Sequence, residues 1–284
     1  MTVAITPQLV QSLRQKTSSG MMDCKKALAE AGGDLEKAVE ILRVKGQLSA
    51  AKRSDRVTKE GYVVSCVSEN RKQAALVHLG CETDFVARNQ SFQAFAETLA
   101  RHVVRSGAIS VNELLMSAVP GMNVASVADG LNALVASIGE KLELGRVAYL
   151  FCDTGFIQSY IHPGAKIGVL VALEQADINK QGDLAKDLAM QIAAAAPEYL
   201  TPGDVPAEKL QKELSLIKEE LRTAGKPEAM LDKIAQGKIG KFYTDVCLLK
   251  QAFIKNTDLT VEAHMIQQAP GVKVKSFVRF AVAS

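Results

Sequence analysis

The sequence predicts an α+β protein that consists of a small helical module followed by two related subdomains with antiparallel sheets. Three observations lead to this prediction. The first part of the chain carries three short helical patterns, a strand–strand–helix pattern occurs twice, and a helical pair interrupts the second copy. With 284 residues, the chain is long enough for two or three folding units.

Composition disfavours several classes of protein. The net charge of +3 and the absence of Trp argue against direct nucleic-acid binding. The apolar runs are too short to span a bilayer, so we expect no membrane partner. Five cysteines stand singly, and the start "MTVAITPQLV" resembles neither a secretory signal nor a transit peptide. We therefore expect a cytoplasmic protein without disulfides or a zinc site.

The sequence pattern of residues 1–46 predicts the helical module. Pro7 suits a first helical position, Gly32 and Gly33 end the second helix, and Asp34 is the expected N-cap of the third. Apolar residues recur at helical spacing in these segments. Three short helices in so few residues resemble a bundle of the ubiquitin-associated (UBA) type.

Two copies of one pattern follow a polar, basic segment at 47–60, which is predicted to be a linker. "GYVVSCV" aligns with "GFIQSYI", and "AALVHL" aligns with "GVLVAL", both at an offset of 94 residues. Each pair predicts two strands, and a helix follows at 91–104 or at 183–196. We therefore expect a first core subdomain at 61–150 and a second at 151–284.

Residues 206–246 predict a coiled-coil hairpin inserted in the second subdomain. Its two arms could cover each other, or its apolar stripe could contact another chain, including a second copy in a homodimer. The terminal "VKVKSFVRFAVAS" alternates like a strand and is expected to rejoin the second sheet. The stripe consists of Leu210, Leu214, Ile217 and Leu221, then Met230, Ile234 and Phe242.

The chain lacks the motifs of phosphate-binding loops, zinc proteases, nucleophile elbows and dinucleotide-binding folds. Its four histidines lie far apart, and His78 and His102 fit a strand and a helix better than a reactive site. We therefore expect a protein that acts by binding, not an enzyme, and expect no cofactor. An enzyme that combines His162 with Asp84 is an alternative that no motif supports.

Several stretches together resemble the elongation factor Ts family, in the family's order along the chain. They are "LRQKTSSGMMDCKKALAEAGGDLEKAVEILRVKG" at 13–46, "CETDFVARNQSFQAFA" at 81–96, "YIHPGAKIGVLVAL" at 160–173, and "QAFIKNTDLTV" with the terminal "VKSFVRFAV". "MMDCKKAL" and "TDFVARN" are specific to that family. The resemblance implies a guanine-nucleotide exchange factor that binds the GTPase elongation factor Tu, disturbs its magnesium and phosphate site, and promotes GDP release so that GTP can rebind.

The resemblance also implies where Tu is contacted. Asp84 and Phe85, in a turn with Thr83 and Val86, would enter the GTPase near its magnesium. An inserted aromatic ring buries a large apolar area and can hold partner helices in a shifted arrangement. From the residues alone, the alternative is that Phe85 packs in its own core and Asp84 caps helix 91–104.

Further implied contacts lie in the helical module and the second subdomain. At least one of Met21 and Met22 is expected to face outward toward a helix of Tu. Lys166 replaces a more frequent arginine, Ala252 replaces a usual proline, and Pro163 follows His162 in its turn. The other contacts that the resemblance implies are Cys24, Lys25, Ile138, Gly139, His162, Phe253 and Ile254.

The helical module leaves a different class of function open. Its UBA-like pattern also fits an adaptor that binds ubiquitin-like or chaperone partners. Against this alternative, "SGMMDC" stands where ubiquitin-binding versions carry a Met-Gly-aromatic loop.

Overall fold

The computed structural model describes residues 4–17 and 19–282. Residues 1–3, 18 and 283–284 belong to the predicted helical module and to the predicted terminal strand, and they lie outside the described part. The chain folds into helices and small antiparallel sheets, which confirms the predicted α+β class. Of the described helices, none combines the length and the apolar character that crossing a membrane requires.

Three helices make up the N-terminal module. They are α1 (Pro7–Thr17), α2 (Met21–Glu30) and α3 (Leu35–Ala51). As predicted, Asp34 caps α3, and its carboxylate accepts hydrogen bonds from the backbone N–H groups of Glu36 and Lys37. Because α3 continues to Ala51, the prediction of a linker from residue 47 is wrong for its first part.

The first subdomain contains a three-stranded antiparallel sheet of order β1-β2-β3. Its elements are β1 (Glu60–Val67), β2 (Gln73–Cys81), α4 (Asp84–Ala87), α5 (Gln90–Ser106), α6 (Val111–Met116), α7 (Val127–Ile138) and β3 (Leu142–Phe151). The helix α5 covers one face of the sheet. The helix α7 packs on α3, where the Cα of Gly46 approaches the backbone of Asn132. This contact explains why α3 extends beyond its predicted end.

The second subdomain repeats this plan with the order β4-β5-β8. Its elements are β4 (Gly155–Ile161), β5 (Ile167–Glu174), α8 (Ile178–Ala195), α9 (Ala207–Thr223), α10 (Glu228–Val246), β6 (Ala252–Phe253), β7 (Asn256–Thr260), α11 (Val261–Gln268) and β8 (Lys273–Ala281). The strand β8 pairs antiparallel with β5, which confirms that the terminal segment rejoins this sheet. The helix α8 covers the outer face.

The two sheets stack face to face, so the core has a helix–sheet–sheet–helix order. An apolar layer fills the space between the sheets. Two hydrogen bonds join them reciprocally: Val63 N donates to Ala165 O at 2.7 Å, and Ile157 N donates to Arg71 O at 2.8 Å. Each residue of one bond lies at the 94-residue offset from its counterpart in the other. The sequence repeat therefore corresponds to two copies of one unit that contact each other with approximate twofold symmetry.

The helices α9 and α10 form a hairpin whose arms cover each other. Ile217 and Leu221 pack against Leu231 and Ala235. Met230, which was predicted to lie in the stripe, is half-exposed, and Leu231 takes the buried position. The prediction for Met230 is wrong because apolar spacing does not determine how a helix is rotated toward its neighbour.

Candidate functional site

Phe85 is the most exposed large apolar side chain among the described residues, with 83% of its surface accessible. It lies in α4, a helix of one turn that begins just after β2 ends. Thr83 is the N-cap of this helix, and its hydroxyl accepts a hydrogen bond from Val86 N at 3.4 Å. The alternative in which Phe85 packs in its own core is therefore wrong.

The neighbours of Phe85 have different surroundings. Asp84 is part-exposed and pairs with Arg88 at 3.2 Å. Asn89, not Asp84, caps α5, so the capping alternative is also wrong. Val86 packs in the core of the first subdomain, so its side chain is not exposed for the predicted contact. The reason is helical geometry, since successive residues point about 100° apart and only one of the two can face solvent here.

The carboxylates of Glu82 and Glu140 attach this turn to the segment that follows α7. Glu140 accepts hydrogen bonds from the N–H groups of Glu82 at 3.2 Å and Thr83 at 3.0 Å, and from the Thr83 hydroxyl at 2.6 Å. Glu82 accepts one from Lys141 N at 2.5 Å and one from the Arg56 guanidinium at 3.1 Å. The Lys141 N–H, together with Arg56, lowers the pKa of the Glu82 carboxyl, which stays ionised at neutral pH.

A second exposed apolar surface lies at the start of α2. Met21 and Met22 are each 61% exposed, which confirms the expectation that at least one faces outward. They line a groove of about 510 Å³ between α1 and α2 together with the exposed Lys25. Cys24 is fully buried in the module's core, and burial raises the pKa of its thiol. Its side chain is not exposed for the predicted contact, because it faces the other side of α2.

The end of α7 lies beside the Phe85 turn. Ile138 is partly buried against the first core. Gly139 ends α7 in the left-handed conformation with φ of 86°, which glycine adopts without a steric penalty. It is exposed, and its carbonyl accepts a hydrogen bond from Arg53 Nε at 3.0 Å. Both residues precede Glu140, which binds the turn directly.

The remaining predicted contacts lie in the second subdomain. His162 is exposed in the β4–β5 turn, where its Nδ1 lies 3.0 Å from the Tyr160 hydroxyl. Phe253 is 1% exposed and stacks on His264 with ring centroids 4.0 Å apart. The Phe253 ring is therefore not exposed for the predicted contact, since β6 turns it into the second core. Ile254, the next residue, is exposed.

The positions that differ from the family pattern, and the histidines, add no reactive group to the site. Lys166 pairs with Glu60 at 2.7 Å, across the two sheets. His78 is largely buried, and neither ring nitrogen has a hydrogen-bond partner among the described residues. Burial, with Arg146 adding repulsion, lowers the pKa of His78 to about 4, so it is neutral at pH 7. Within residues 4–17 and 19–282, no group of His, Cys, Asp and Glu could hold a metal ion.

Sequence reasoning did not identify Glu82, Glu140, Lys141 or Arg56. Glu82 lies inside the family string at 81–96, and Glu140 directly follows the predicted contacts Ile138 and Gly139. The contact between Glu140 and Thr83 was not visible from the sequence, because the two residues are 57 positions apart. Only the alignment of α7 and β3 with β2 brings them together.

Comparison with known proteins places this chain in the class of translation elongation factors. The chain is 42% identical over 282 residues to elongation factor Ts of Clostridium botulinum (strain Alaska E43 / Type E3), covering 97% of this chain and 92% of that relative. It is 43% identical over 292 residues to elongation factor Ts of Aquifex aeolicus (strain VF5), covering 99% and 98%. The family model described as elongation factor TS matches residues 82–284. The chain therefore belongs to the elongation factor Ts family.

Proposed function

We propose that this protein is a guanine-nucleotide exchange factor for the GTPase elongation factor Tu, acting in the cytoplasm during translation elongation. The observation that carries the proposal is Phe85, an aromatic ring 83% exposed on a turn held by two carboxylates. Burying such a side chain is worth about 1.5–3 kcal/mol. Its placement in solvent therefore favours insertion into a partner, and family membership supplies the identity of that partner.

Exchange follows from thermodynamic linkage. If the protein binds empty Tu more tightly than GDP-bound Tu, GDP must bind the complex more weakly by the same factor. Phe85 supplies apolar contact that can hold partner helices apart, and Asp84 brings a carboxylate beside it. The ion pair of Asp84 with Arg88 is exposed and costs little to break. Disturbing the magnesium that neutralises the phosphates of GDP then speeds its release. The protein acts by binding, with no chemistry of its own.

Other surfaces would complete the interface. Met21 and Met22, on a UBA-like module, present adaptable apolar side chains. His162 and Ile254 extend the contact into the second subdomain. The hairpin would form a short coiled coil, and two exposed residues on it, Leu216 and Met230, would support a homodimer.

Stopped-flow release of a fluorescent GDP analogue from Tu tests the proposal. We expect the wild-type protein to accelerate release and Phe85→Ala to require about 30-fold more protein for the same rate, which corresponds to about 2 kcal/mol of lost burial. The matched control is Met116→Ala, since Met116 is 80% exposed on α6. An absence of acceleration by the wild type, or equal rates for Phe85→Ala and the control, would contradict the proposal.

A further inference from the structure

The turn that carries Phe85 has little local stability of its own. The helix α4 has four residues, and isolated helices of this length do not persist in water. Its capping hydrogen bond from Val86 N to the Thr83 hydroxyl is long, at 3.4 Å. Val86 packs α4 against the first core, and the direction of the first residues of α4 depends also on what holds Thr83 in its extended conformation.

Glu140 supplies that hold. One carboxylate oxygen accepts the N–H groups of both Glu82 and Thr83, and the other accepts the Thr83 hydroxyl at 2.6 Å. Hydrogen bonds to an ionised carboxylate are about twice as strong as neutral ones. Since Asp84 and Phe85 follow Thr83 directly, Glu140 orients the first residues of α4 from outside the helix.

A second carboxylate makes the contact reciprocal. Residues 139–141, called the clasp from here on, receive the side chain of Glu82 through the backbone N–H of Lys141. The strand end thus binds the clasp through Glu82, and the clasp binds the strand end through Glu140. Two opposed contacts prevent rotation about either one.

The clasp also binds the segment that follows α3. The Lys141 ammonium donates to the carbonyls of Ser54 at 2.6 Å and Arg56 at 2.9 Å. Arg53 Nε donates to the Gly139 carbonyl at 3.0 Å. Arg56 in turn contacts Glu82, and the Arg53 guanidinium also donates to the Ser49 carbonyl in α3 at 2.8 Å, so the helical module, the clasp and the Phe85 turn form one hydrogen-bonded network.

We propose that Glu140 is a positioning residue for Phe85, and that the clasp fixes the Phe85 turn relative to the surface of the helical module that carries Met21 and Met22. The inference rests on the proposed function. Glu140 acts through Thr83 and does not itself enter the partner. Without it, Phe85 stays exposed but its turn must be ordered when the partner binds, and that ordering weakens binding.

The test compares Glu140→Ala with Glu140→Gln in the full chain. A glutamine oxygen can accept both N–H groups while its NH₂ donates to the Thr83 hydroxyl, which accepts as well as donates. Rescue by glutamine therefore reports the geometry of the contact. The control is Glu97→Ala on α5, where Glu97 pairs with Arg101 at 3.7 Å. If circular dichroism shows that Glu140→Ala is unfolded, Glu140→Asp is used instead. Its carboxylate is set back by one methylene.

Two readouts are needed. Amide hydrogen exchange of residues 82–86 in the free protein measures the turn without Tu. Stopped-flow GDP release as a function of protein concentration separates the half-saturating concentration from the maximal rate. For Glu140→Ala we expect faster exchange of these amides and an about tenfold rise in the half-saturating concentration, with the maximal rate within about twofold of wild type. Glu140→Gln and Glu97→Ala should match the wild type in both readouts.

Unchanged amide exchange in Glu140→Ala overturns the proposal, because the carboxylate then does not hold the turn. Faster amide exchange with an unchanged half-saturating concentration also overturns it, because the turn's position is then irrelevant to binding. A failure of Glu140→Gln to rescue would contradict the stated geometry. If the wild type itself does not accelerate GDP release, the proposed function fails, and amide exchange still decides whether the clasp holds the turn.

Discussion

The two sheet subdomains share one backbone plan and differ where the second strand of each ends. In the first, the one-turn helix α4 precedes α5 and lifts Phe85 into solvent. In the second, Asp177 caps the long helix α8 directly. The positions that match Asp84 and Phe85 hold Ile178, which packs against the second core, and the polar Asn179. The same strand end thus leads to a solvent-exposed ring in one copy and an ordinary helix start in the other.

In the turn between the first two strands of each subdomain, the backbone is the same and only the side chains differ. Arg71 and Ala165 occupy matching positions with φ of 55° and 53°, and both turns have the same backbone hydrogen bonds. Ser68 in the first copy is matched by the exposed His162 in the second. The backbones agree because sheet and turn hydrogen bonds maintain them. The candidate contacts differ because turn side chains can change without disturbing a core.

The largest effect is expected from truncating the aromatic ring that the second subdomain buries. Phe253→Ala should lower the free energy of unfolding by about 3–5 kcal/mol, since it leaves a cavity against His264. Phe85→Ala should change it by less than about 0.5 kcal/mol, because that ring is exposed. Urea unfolding monitored by circular dichroism measures both. Similar losses for the two variants would remove the distinction between a buried ring and an exposed ring.

An effect of intermediate size is expected for the pH dependence of the free energy of unfolding. His78 in the first sheet is matched by Ala172 in the second, and both positions flank a register shift. Burial, with Arg146 adding to it and Glu143 opposing it, lowers the pKa of His78 to about 4. Between pH 6.5 and 4, the unfolded chain therefore binds a proton that the folded chain does not, so stability falls as pH falls through this window.

Urea unfolding at pH 8 and pH 5 measures this effect. We expect His78 to contribute about 2 kcal/mol of the wild-type loss of stability between these conditions. His78→Ala, which copies the second sheet, should be less stable at pH 8 but should lack this contribution. His162→Ala, at an exposed site, is the control. The same pH slope in wild type and His78→Ala would show that His78 is not the source.

The smallest effect compares the two matching caps. Asp177→Ala should lower the free energy of unfolding by about 1 kcal/mol, because Asp177 caps an 18-residue helix of the core. Thr83→Ala should change unfolding less, since α4 has only four residues, but it should accelerate amide exchange at residues 82–86. A larger loss of global stability in Thr83→Ala than in Asp177→Ala would be the contrary result.

Local patterns were sufficient for much of this fold. The duplicated strands, the helices that follow them, the cap at Asp34 and the terminal strand β8 were all predicted, because periodicity and capping are properties of neighbouring residues. The third strand of the first sheet, β3, was not predicted, and its burial alternates only over its first four residues. The family strings also indicated the turn that carries Phe85.

The tertiary structure decided which of the candidate residues are exposed. Phe85 and Phe253 are the same residue type in recognised strings, yet one is in solvent and the other is in a core. Cys24 and Val86 are buried beside exposed neighbours because helix rotation, which depends on packing, sets each face. Glu82 and Glu140 join the turn to residues 140–141, which lie 58 to 59 positions away along the chain. The sequence by itself determined the elements and their repeat, whereas exposure and long-range hydrogen bonds depend on how those elements pack.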